Sequence, residues 1–293
     1  MSARTNLGPV GLVLVGIISV QFGAGIAKNL FDQASPTTIV WLRLATAAVL
    51  LMALVRPRLG GRSGQDWLVV CGYGASLAIM NWSFYQALGT VALGLAVTIE
   101  FLGPLSVAVL GSRRARDLVW AGLAGAGVLL LSTERTGIDA RGLMFVIIAA
   151  VCWALYILLS QNTGARWEGL DGLAVACVIS TIIITPLLVG IGPGDNHVSD
   201  LGSISLVLAG IAVGVLSSVI PYSCELVALR SLAPGVFGIL MSMEPAAAAL
   251  AGMVVVGEHL LGVQWVAMAC VVAASIGATM GSRTPDEIPG PLG

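Results

Sequence analysis

Charge is scarce in this sequence. Only 10% of the 293 residues are Asp, Glu, Lys or Arg, whereas 57% are hydrophobic and the mean hydropathy is +0.98. Soluble domains carry about 25% charged residues. The composition therefore excludes an ordinary cytosolic enzyme and a secreted disulfide scaffold, and it indicates a chain that lies mostly in lipid.

Patterns that bind metals, form disulfides or carry out catalysis are also missing. The five cysteines all fall inside apolar runs, and their odd number and unpaired spacing argue against a disulfide framework or a zinc site. No HExxH, GxSxG or P-loop motif is present, and His197 and His259 are too far apart in sequence to suggest a site. We expect no cofactor, no metal and no enzymatic activity, and we interpret the cysteines as small packing residues.

Long apolar runs are abundant instead. About ten runs of roughly 20 residues can be identified, and each is long enough to cross a bilayer. They lie near residues 8–30, 36–55, 67–88, 91–111, 117–133, 142–161, 171–190, 203–228, 234–256 and 260–281. The loops between them are too short to hold a soluble domain, so no nucleic-acid partner is expected. The first run does not end at a small-residue cleavage site, so we interpret it as a transmembrane helix and not as a signal peptide.

The basic residues predict which side of the membrane each loop occupies. With a cytoplasmic N-terminus, the inside holds Arg4, Arg56, Arg58, Arg62, Arg113, Arg114, Arg116, Arg166, Arg230 and Arg283, and the outside holds Lys28, Arg135 and Arg141. Both termini are therefore expected in the cytoplasm. The Pro-rich stretch 283–293 is predicted to be a disordered cytoplasmic tail.

An internal repeat divides the chain into two halves. Ala87-Leu88, Gly94, Pro104 and Asp117 recur, all at one constant offset, as Ala228-Leu229, Gly235, Pro245 and Glu258. Residues 1–136 and 137–282 would then be two five-helix units. Because five is odd, the second unit enters the membrane from the opposite side, and inverted repeats of this kind build secondary transporters with a binding site near the midplane. The predicted fold is an all-α membrane protein of ten helices in two inverted repeats.

Two carboxyl groups are predicted near the centre of the membrane. Glu100 and Glu244 lie about nine and ten residues into their spans, which at 1.5 Å per residue puts both roughly 14–15 Å deep. Pro104 and Pro245 free the carbonyls of Glu100 and Met241, because proline has no N–H to donate. Ionisable residues at this depth are costly and mark substrate or proton pathways. We predict substrate binding and proton coupling at both glutamates; the alternative is a protonated side chain that bonds a neighbouring helix.

Other charges near the spans are interpreted as structural. Arg43 lies about seven residues from the outer end of the second span, where it either pairs with an acid or holds a substrate carboxylate. Glu225 is predicted to pair with Arg230 at the cytoplasmic interface, and Glu258 to stabilise the N-terminus of the tenth helix. Lys28 extends to the interface or has a role that the sequence leaves open.

Polar side chains flank the two glutamates and suit a small zwitterion. They are Asn81, Ser83, Tyr85 and Gln86 on the third span, Gln21 on the first, Trp153 and Tyr156 on the sixth, Tyr222 and Ser223 on the eighth, and Ser242 on the ninth. We predict that Asn81, Tyr85, Tyr156, Tyr222 and Ser242 shape a substrate pocket. Singly, each such group is also typical of hydrogen bonding between membrane helices.

Several stretches resemble the EamA modules of the drug/metabolite transporter superfamily, and within it the bacterial inner-membrane exporters of threonine and homoserine. They include Ser35-Pro36, Trp41-Leu42-Arg43, Ile99 to Leu105, Cys152 to Leu158, Ile220 to Ser223 and Phe237 to Pro245. The resemblance implies ten helices, of which the first, third, fourth, sixth, eighth and ninth surround a central cavity. It also implies proton-driven export by alternating access. Glu100 and Glu244 fall on cavity helices, whereas Arg43, on the second helix, would be peripheral.

The function expected from these features is export of threonine or homoserine across a bacterial inner membrane, with protons and the lipid bilayer as further partners. Two alternatives stay open. One is an exporter of another class of compound, such as purines, dipeptides or cationic drugs. The other is a scaffold or sensor that transports nothing. The sequence indicates no particular oligomeric state.

Overall fold

Helices make up the regular structure of this protein. The computed structural model describes residues 8–110, 116–131, 139–191, 197–229, 232 and 234–281, and no strand occurs among them. The α-helices in these ranges are α1 (Pro9–Asn29), α2 (Pro36–Val55), α3 (Gly64–Leu88), α4 (Leu93–Glu100), α5 (Leu102–Leu110), α6 (Arg116–Leu131), α7 (Ala140–Gly164), α8 (Asp171–Leu188), α9 (Ile204–Gly214), α10 (Ile220–Leu229), α11 (Pro234–Met241), α12 (Glu244–Ala251) and α13 (Gly262–Gly281). The expected all-α class is confirmed. The predicted tail 283–293 and Arg230 lie outside the described residues.

The length and composition of the helical segments indicate a membrane protein. Within the described ranges, seven segments are long and apolar enough to cross a bilayer, and three shorter apolar helices fall within the other three predicted spans. Large apolar side chains are exposed on the outside of the bundle: Leu54 is 72% exposed, Leu129 71% and Val254 74%. A surface of this kind is stable in contact with lipid chains and not with water. The chain is therefore a multi-pass membrane protein.

Short polar signals set where two of the helices begin. The Ser35 hydroxyl accepts a hydrogen bond from the backbone N–H of Thr38, and Pro36 occupies the first position of α2, where its missing N–H costs nothing. Ser63 and Asp66 form a reciprocal capping box at the start of α3. These caps satisfy backbone groups at helix ends that have no partner within the helix.

In three of the predicted spans the regular α-helix is interrupted close to a proline. The fourth span is divided at Phe101 into α4 and α5, and the ninth is divided between α11 and α12. The eighth contains a π-helical turn, Val215–Val219, between α9 and α10. α4 ends at Glu100, four residues before Pro104, and α11 ends at Met241, four residues before Pro245. At this spacing the proline ring clashes with the carbonyl of the earlier residue and cannot donate a hydrogen bond to it, so the helix breaks there. Pro221 likewise follows Ser217 by four positions, and Ser217 lies inside the π-helical turn.

Gly94 lets α4 approach α12 closely. A Cβ atom at Gly94 would lie 2.8 Å from the Cα of Ala249 and 2.9 Å from its Cβ, closer than carbon atoms tolerate. Small residues allow membrane helices to pack backbone against backbone. Such close packing is important in lipid, because no hydrophobic effect drives the helices together there. The contact at Gly94 therefore fixes the spacing of the two helices that carry Glu100 and Glu244.

Gly94→Ala is expected to lower the free energy of unfolding by about 1–3 kcal/mol, because the added methyl group forces α4 and α12 apart. Thermal unfolding of the purified protein in one detergent measures this change. Gly122→Ala is the matched control, since Gly122 lies in α6 with no atom within 4 Å of the position that an added Cβ would take. Equal stability of Gly94→Ala and Gly122→Ala would show that the close approach of α4 and α12 carries no energetic weight.

One end of the bundle is closed by a set of polar contacts that we call the Lys28–Glu258 latch. Lys28 Nζ lies 2.7 Å from Glu258 Oε1 and donates to the Val91 carbonyl at 2.6 Å. Glu258 Oε2 accepts a hydrogen bond from the backbone N–H of Leu93 at 2.8 Å. Beside them, Asn29 donates to the Val255 carbonyl at 2.8 Å. The latch therefore joins the end of α1, the start of α4 and the segment that follows α12.

The position of Glu258 differs from the sequence-based expectation. Glu258 was expected to stabilise the N-terminus of the tenth helix, but α13 begins only at Gly262 and the Glu258 carboxylate caps α4 instead. A sharp turn makes this possible, because Gly257 adopts φ +78°, a conformation that favours glycine. The chain then returns so that the Glu258 N–H donates to the Gly252 carbonyl.

Candidate functional site

A cavity of about 540 Å³ lies in the middle of the helix bundle. This volume falls within the range of roughly 300–1,000 Å³ that is typical of small-molecule sites. Its wall is formed by side chains from α1, α2, α3, α4, α5, α7, α10, α11, α12 and α13 and from the π-helical turn. Five of the predicted substrate-binding residues line it, namely Glu100, Glu244, Asn81, Tyr156 and Tyr222. The cavity is therefore the candidate functional site.

Glu100 and Glu244 occupy the two breaks in the helices. Glu100 is the last residue of α4 and Glu244 the first residue of α12, and they are only 8% and 6% exposed. No described residue donates a hydrogen bond to either carboxyl group or forms an ion pair with it. Buried polar groups in proteins are normally paired. Both carboxyl groups therefore have free acceptor capacity at the cavity wall, where a ligand can use it.

Arg43 also reaches the cavity, in contrast to the peripheral position that the family resemblance implies. The residue is 7% exposed and its guanidinium is held by three groups. Nε donates to the Ser218 hydroxyl at 3.1 Å, one terminal nitrogen donates to the Ser217 carbonyl at 2.9 Å, and the other donates to the Tyr85 hydroxyl at 3.4 Å. The guanidinium carbon also lies 5.5 Å from the centre of the Tyr85 ring.

Pro221 explains why this anchor for Arg43 exists. Proline has no backbone N–H, so the usual α-helical hydrogen bond to the carbonyl four residues earlier, that of Ser217, cannot form. The π-helical turn 215–219 presents this carbonyl and the Ser218 hydroxyl to α2, which packs against it. The spacing of Ser217 and Pro221 is visible in the sequence, and it was the signal that could have located the arginine site.

Glu225 is a third carboxyl group on the cavity wall. It was expected to form an interfacial ion pair with Arg230, but the structure places Glu225 in the lining of the cavity. Arg230 lies outside the described residues, so the pair itself is not described. Glu244 is near enough to Glu225 and to Glu100 for its charge to interact with theirs. Within the described part of the chain, however, no three acidic, His or Cys side chains are close enough to hold a metal ion.

Two predicted pocket residues lie behind the wall rather than on it. Tyr85 is completely buried and its hydroxyl meets Arg43, so it supports the cavity indirectly. The Ser242 hydroxyl lies 2.9 Å from the Gly238 carbonyl and 2.7 Å from the Ser275 hydroxyl. Ser275 does line the cavity. The contact of Ser242 with a neighbouring helix corresponds to the packing alternative that the sequence left open.

The polar lining also includes amide groups. The Asn81 amide donates to the Leu77 carbonyl at 2.8 Å, which leaves its oxygen free to accept. Gln21 on α1 lines the cavity and is 4% exposed. Tyr156 packs against Tyr73 with ring centres 5.2 Å apart, so its ring position is fixed from behind. These groups provide hydrogen-bond partners around the carboxyl groups.

The cavity extends toward the end of the bundle opposite the latch. Its lining includes Ser160 and Gln161, within one turn of the end of α7, and Gln161 is exposed. Toward the latch, the lining stops at Ala24 and Val97, about one turn short of Lys28 and Leu93. The structure is therefore closed at the latch end and accessible from the other end.

Comparisons with known proteins give a consistent result. The chain is 39% identical to the threonine/homoserine exporter RhtA of Salmonella typhimurium (strain SL1344) over 283 residues, which cover 96% of this chain and 94% of that protein. It is 38% identical to the exporter of the same name from Escherichia coli (strain K12), with the same coverage. Residues 140–280 match the EamA-like transporter family. A protein crystal structure that is 19% identical aligns with a TM-score of 0.62 over 92% of this chain and 96% of that chain, which shows a shared fold.

Proposed function

Because this chain belongs to the EamA-like transporter family, we propose that it is a secondary active exporter of small neutral amino acids, threonine and homoserine foremost, in a bacterial inner membrane. Membership confirms the resemblance seen in the sequence and identifies a transporter rather than an enzyme. The observation that carries the proposal is the central cavity with Glu100 and Glu244 in its wall. The names of the relatives, at 38–39% identity, support the choice of substrate.

Two inverted five-helix repeats, spanning residues 1–136 and 137–282, form the proposed architecture. One helix end supports it, because α4 and α11 end at equivalent positions of the sequence repeat, Glu100 and Met241. The break in the helix thus keeps the offset of the sequence repeat. The ten crossings would be α1, α2, α3, α4 with α5, α6, α7, α8, α9 with α10, α11 with α12, and α13. Both termini are proposed to be cytoplasmic, which places the latch outside.

Proton antiport by alternating access is the proposed mechanism. Glu100 and Glu244 would bind either a proton or the ammonium group of the substrate, and competition between the two would couple their fluxes. Asn81, Tyr156 and Tyr222 would contribute hydrogen bonds from the wall, and Tyr85 and Ser242 would hold wall residues in place. In the state described, the cavity opens to the cytoplasm and the Lys28–Glu258 latch closes the outside. Release outside would require the latch to open.

A second candidate function follows from the charge of the cavity. Among the described lining residues, three carboxyl groups, those of Glu100, Glu225 and Glu244, accompany one guanidinium, that of Arg43. This excess of acidic groups favours a cationic compound without a carboxylate. The amino acid remains the first candidate because one positive group is present and the relatives are named for threonine and homoserine.

Efflux from liposomes tests the proposed function. Purified protein is reconstituted with radiolabelled threonine inside, a proton gradient is imposed in the direction opposite to threonine efflux, and efflux is followed with and without a protonophore. We expect gradient-dependent efflux that internal homoserine slows by competition and that an amine without a carboxylate does not. No threonine movement under any gradient would overturn the proposed substrate class, and movement of the amine alone would favour the second candidate.

A further inference from the structure

Arg43 is a buried positive charge without an ion-pair partner among the described residues. Its side chain lies in a membrane-spanning helix and is 7% exposed, yet its three contacts are to two hydroxyl groups and one carbonyl. Taking a charged group out of water is expensive unless an opposite charge compensates for it. Glu100 is near enough to interact electrostatically with Arg43, but not within ion-pair distance. The local structure therefore leaves this charge incompletely paired.

The arrangement around Arg43 orients the guanidinium and leaves part of it unused. A guanidinium has five N–H groups. Ser218, Ser217 and Tyr85 take one each, and all three lie in the cavity wall or behind it. One N–H on each terminal nitrogen remains. Arg43 lines the cavity, so these remaining donors are available to a molecule bound there.

A planar guanidinium with free N–H groups is suited to a carboxylate. Arginine binds carboxylates through charge-assisted and frequently bidentate hydrogen bonds, which are stronger than neutral ones. The same cavity wall carries Glu100 and Glu244, which are suited to an ammonium group. An amino acid carries both charges on one carbon atom, so a site that recognises it needs both kinds of partner in one cavity.

We infer that Arg43 binds the carboxylate of the transported amino acid while Glu100 and Glu244 receive its ammonium group, so that Arg43 determines selectivity for amino acids over amines. This inference rests on the proposed function and deepens it. It also assigns a role to the π-helical turn and Pro221, which hold the guanidinium at the cavity wall. Arg43 and the two glutamates would then bind the carboxylate and ammonium groups of the amino acid. The neighbouring polar groups of the cavity would bind the small hydroxyl side chain of threonine or homoserine.

Ligands that differ only in the carboxylate test this role directly. L-Threoninamide keeps the ammonium group and side chain of threonine but has a neutral amide in place of the carboxylate. Titration calorimetry on the full-length protein in lipid nanodiscs measures the affinity for each ligand separately. We expect the wild-type protein to bind threonine about 30-fold or more tightly than threoninamide, as for loss of one member of a buried charged pair.

Variants at Arg43 connect the preference to this residue. Arg43→Gln is expected to weaken threonine binding by about 30-fold or more while threoninamide binds as before or more tightly, because the repulsion between its single positive charge and Arg43 is removed. Arg43→Lys keeps the charge without the planar fork and is expected to retain part of the preference. The exposed Arg58→Gln is the matched control and should leave both affinities unchanged.

The outcomes separate this inference from the function on which it rests. If Arg43→Gln weakens the binding of threonine and of threoninamide equally, the inference is overturned. Arg43 then has a structural role, as the positive charge that balances the cavity glutamates. If Arg43→Gln does not fold, the wild-type ligand pair and Arg43→Lys still decide, since equal affinity of the wild type for both ligands overturns the inference. Threonine efflux with no carboxylate preference would overturn the inference alone. Absence of any threonine binding or efflux would overturn the proposed function as well.

Discussion

Glu100→Gln is expected to abolish proton-driven threonine efflux. Glutamine has nearly the shape of glutamate and keeps its hydrogen-bonding groups, but it can neither ionise nor exchange a proton. Removing one partner of a buried charged contact costs about 2–5 kcal/mol, so the binding of the ammonium group should weaken by about 30-fold or more. Because the same carboxyl group is proposed to take the proton, the dependence of threonine binding on pH should be lost together with the affinity.

Several groups around Glu100 contribute to this pH dependence. Arg43, Glu225, Glu244, Tyr156 and Tyr222 line the same cavity. Carboxyl groups that share one cavity titrate as a coupled set, in which a proton bound by one changes the electrostatic potential at the others. The pH dependence of binding therefore belongs to the set, and a single substitution shows which member the substrate competes with. We expect Glu100→Gln to remove the competition and Glu244→Gln to weaken it.

Two measurements on each variant distinguish coupling from binding. Gradient-driven efflux reports the coupled process, and threonine binding at a series of pH values reports the competition alone. Glu168→Gln is the matched control, because Glu168 is an exposed acid outside the cavity and the substitution is chemically the same. It should behave as the wild type in both assays. Efflux by Glu100→Gln with an unchanged pH dependence would show that Glu100 is not the coupling group.

The sequence predicts that Glu100 and Glu244 lie near the centre of the membrane, because depth follows from residue count and helical rise; this depth stays a prediction. The structure places both residues at helix breaks beside one cavity, as the two prolines suggested. Whether they bind substrate or protons stays a prediction. What residue counting could not give is the path of a long side chain. Arg43 lies on the second helix, which the family resemblance implies to be peripheral, and its side chain still reaches the cavity.

Local backbone geometry accounts for the other differences. The π-helical turn 215–219 shifts the register of the eighth span by inserting an extra residue in one turn, which affects where Glu225 faces. Glu258 was assigned to the helix that follows it in sequence, whereas its carboxylate caps α4, which is distant in sequence. That a carboxylate such as that of Glu258 caps a helix N-terminus is predictable from the residue type. Which helix it caps depends on tertiary packing.

Breaking the Lys28–Glu258 latch is expected to open the closed end of the cavity. Lys28 and Glu258 side chains are 17% and 13% exposed, so their attraction is only partly screened by solvent. The Glu258→Gln variant loses the ion pair and weakens the cap on the Leu93 N–H. Loss of a charged hydrogen bond costs about 1.5–3 kcal/mol, which is roughly a 10- to 150-fold shift between closed and open states.

Access to a single cysteine measures this shift. The native cysteines are first replaced, and Ala24→Cys then places a thiol on the cavity wall nearest the latch, since Ala24 lines the cavity. A membrane-impermeant thiol reagent is added to the outside of oriented vesicles. We expect labelling to be about 10-fold faster or more in Glu258→Gln than in its parent, because the outward-open state is more populated.

Lys28→Met and the double variant complete a cycle that isolates the ion pair. If Lys28 and Glu258 act through each other, the double variant should label no faster than the faster single variant, because the second substitution removes a contact that is already lost. Arg166→Met is the matched control: it breaks the 3.1 Å pair with Asp66 at the opposite end and should leave labelling unchanged. Additive effects of the two latch substitutions would show that Lys28 and Glu258 act independently of each other. Equal labelling in all variants would show that the closed end is held by helix packing at Gly94 and its neighbours instead. In that last case the barrier to release would lie in the α4–α12 contact, and Gly94→Ala would increase labelling where Glu258→Gln does not.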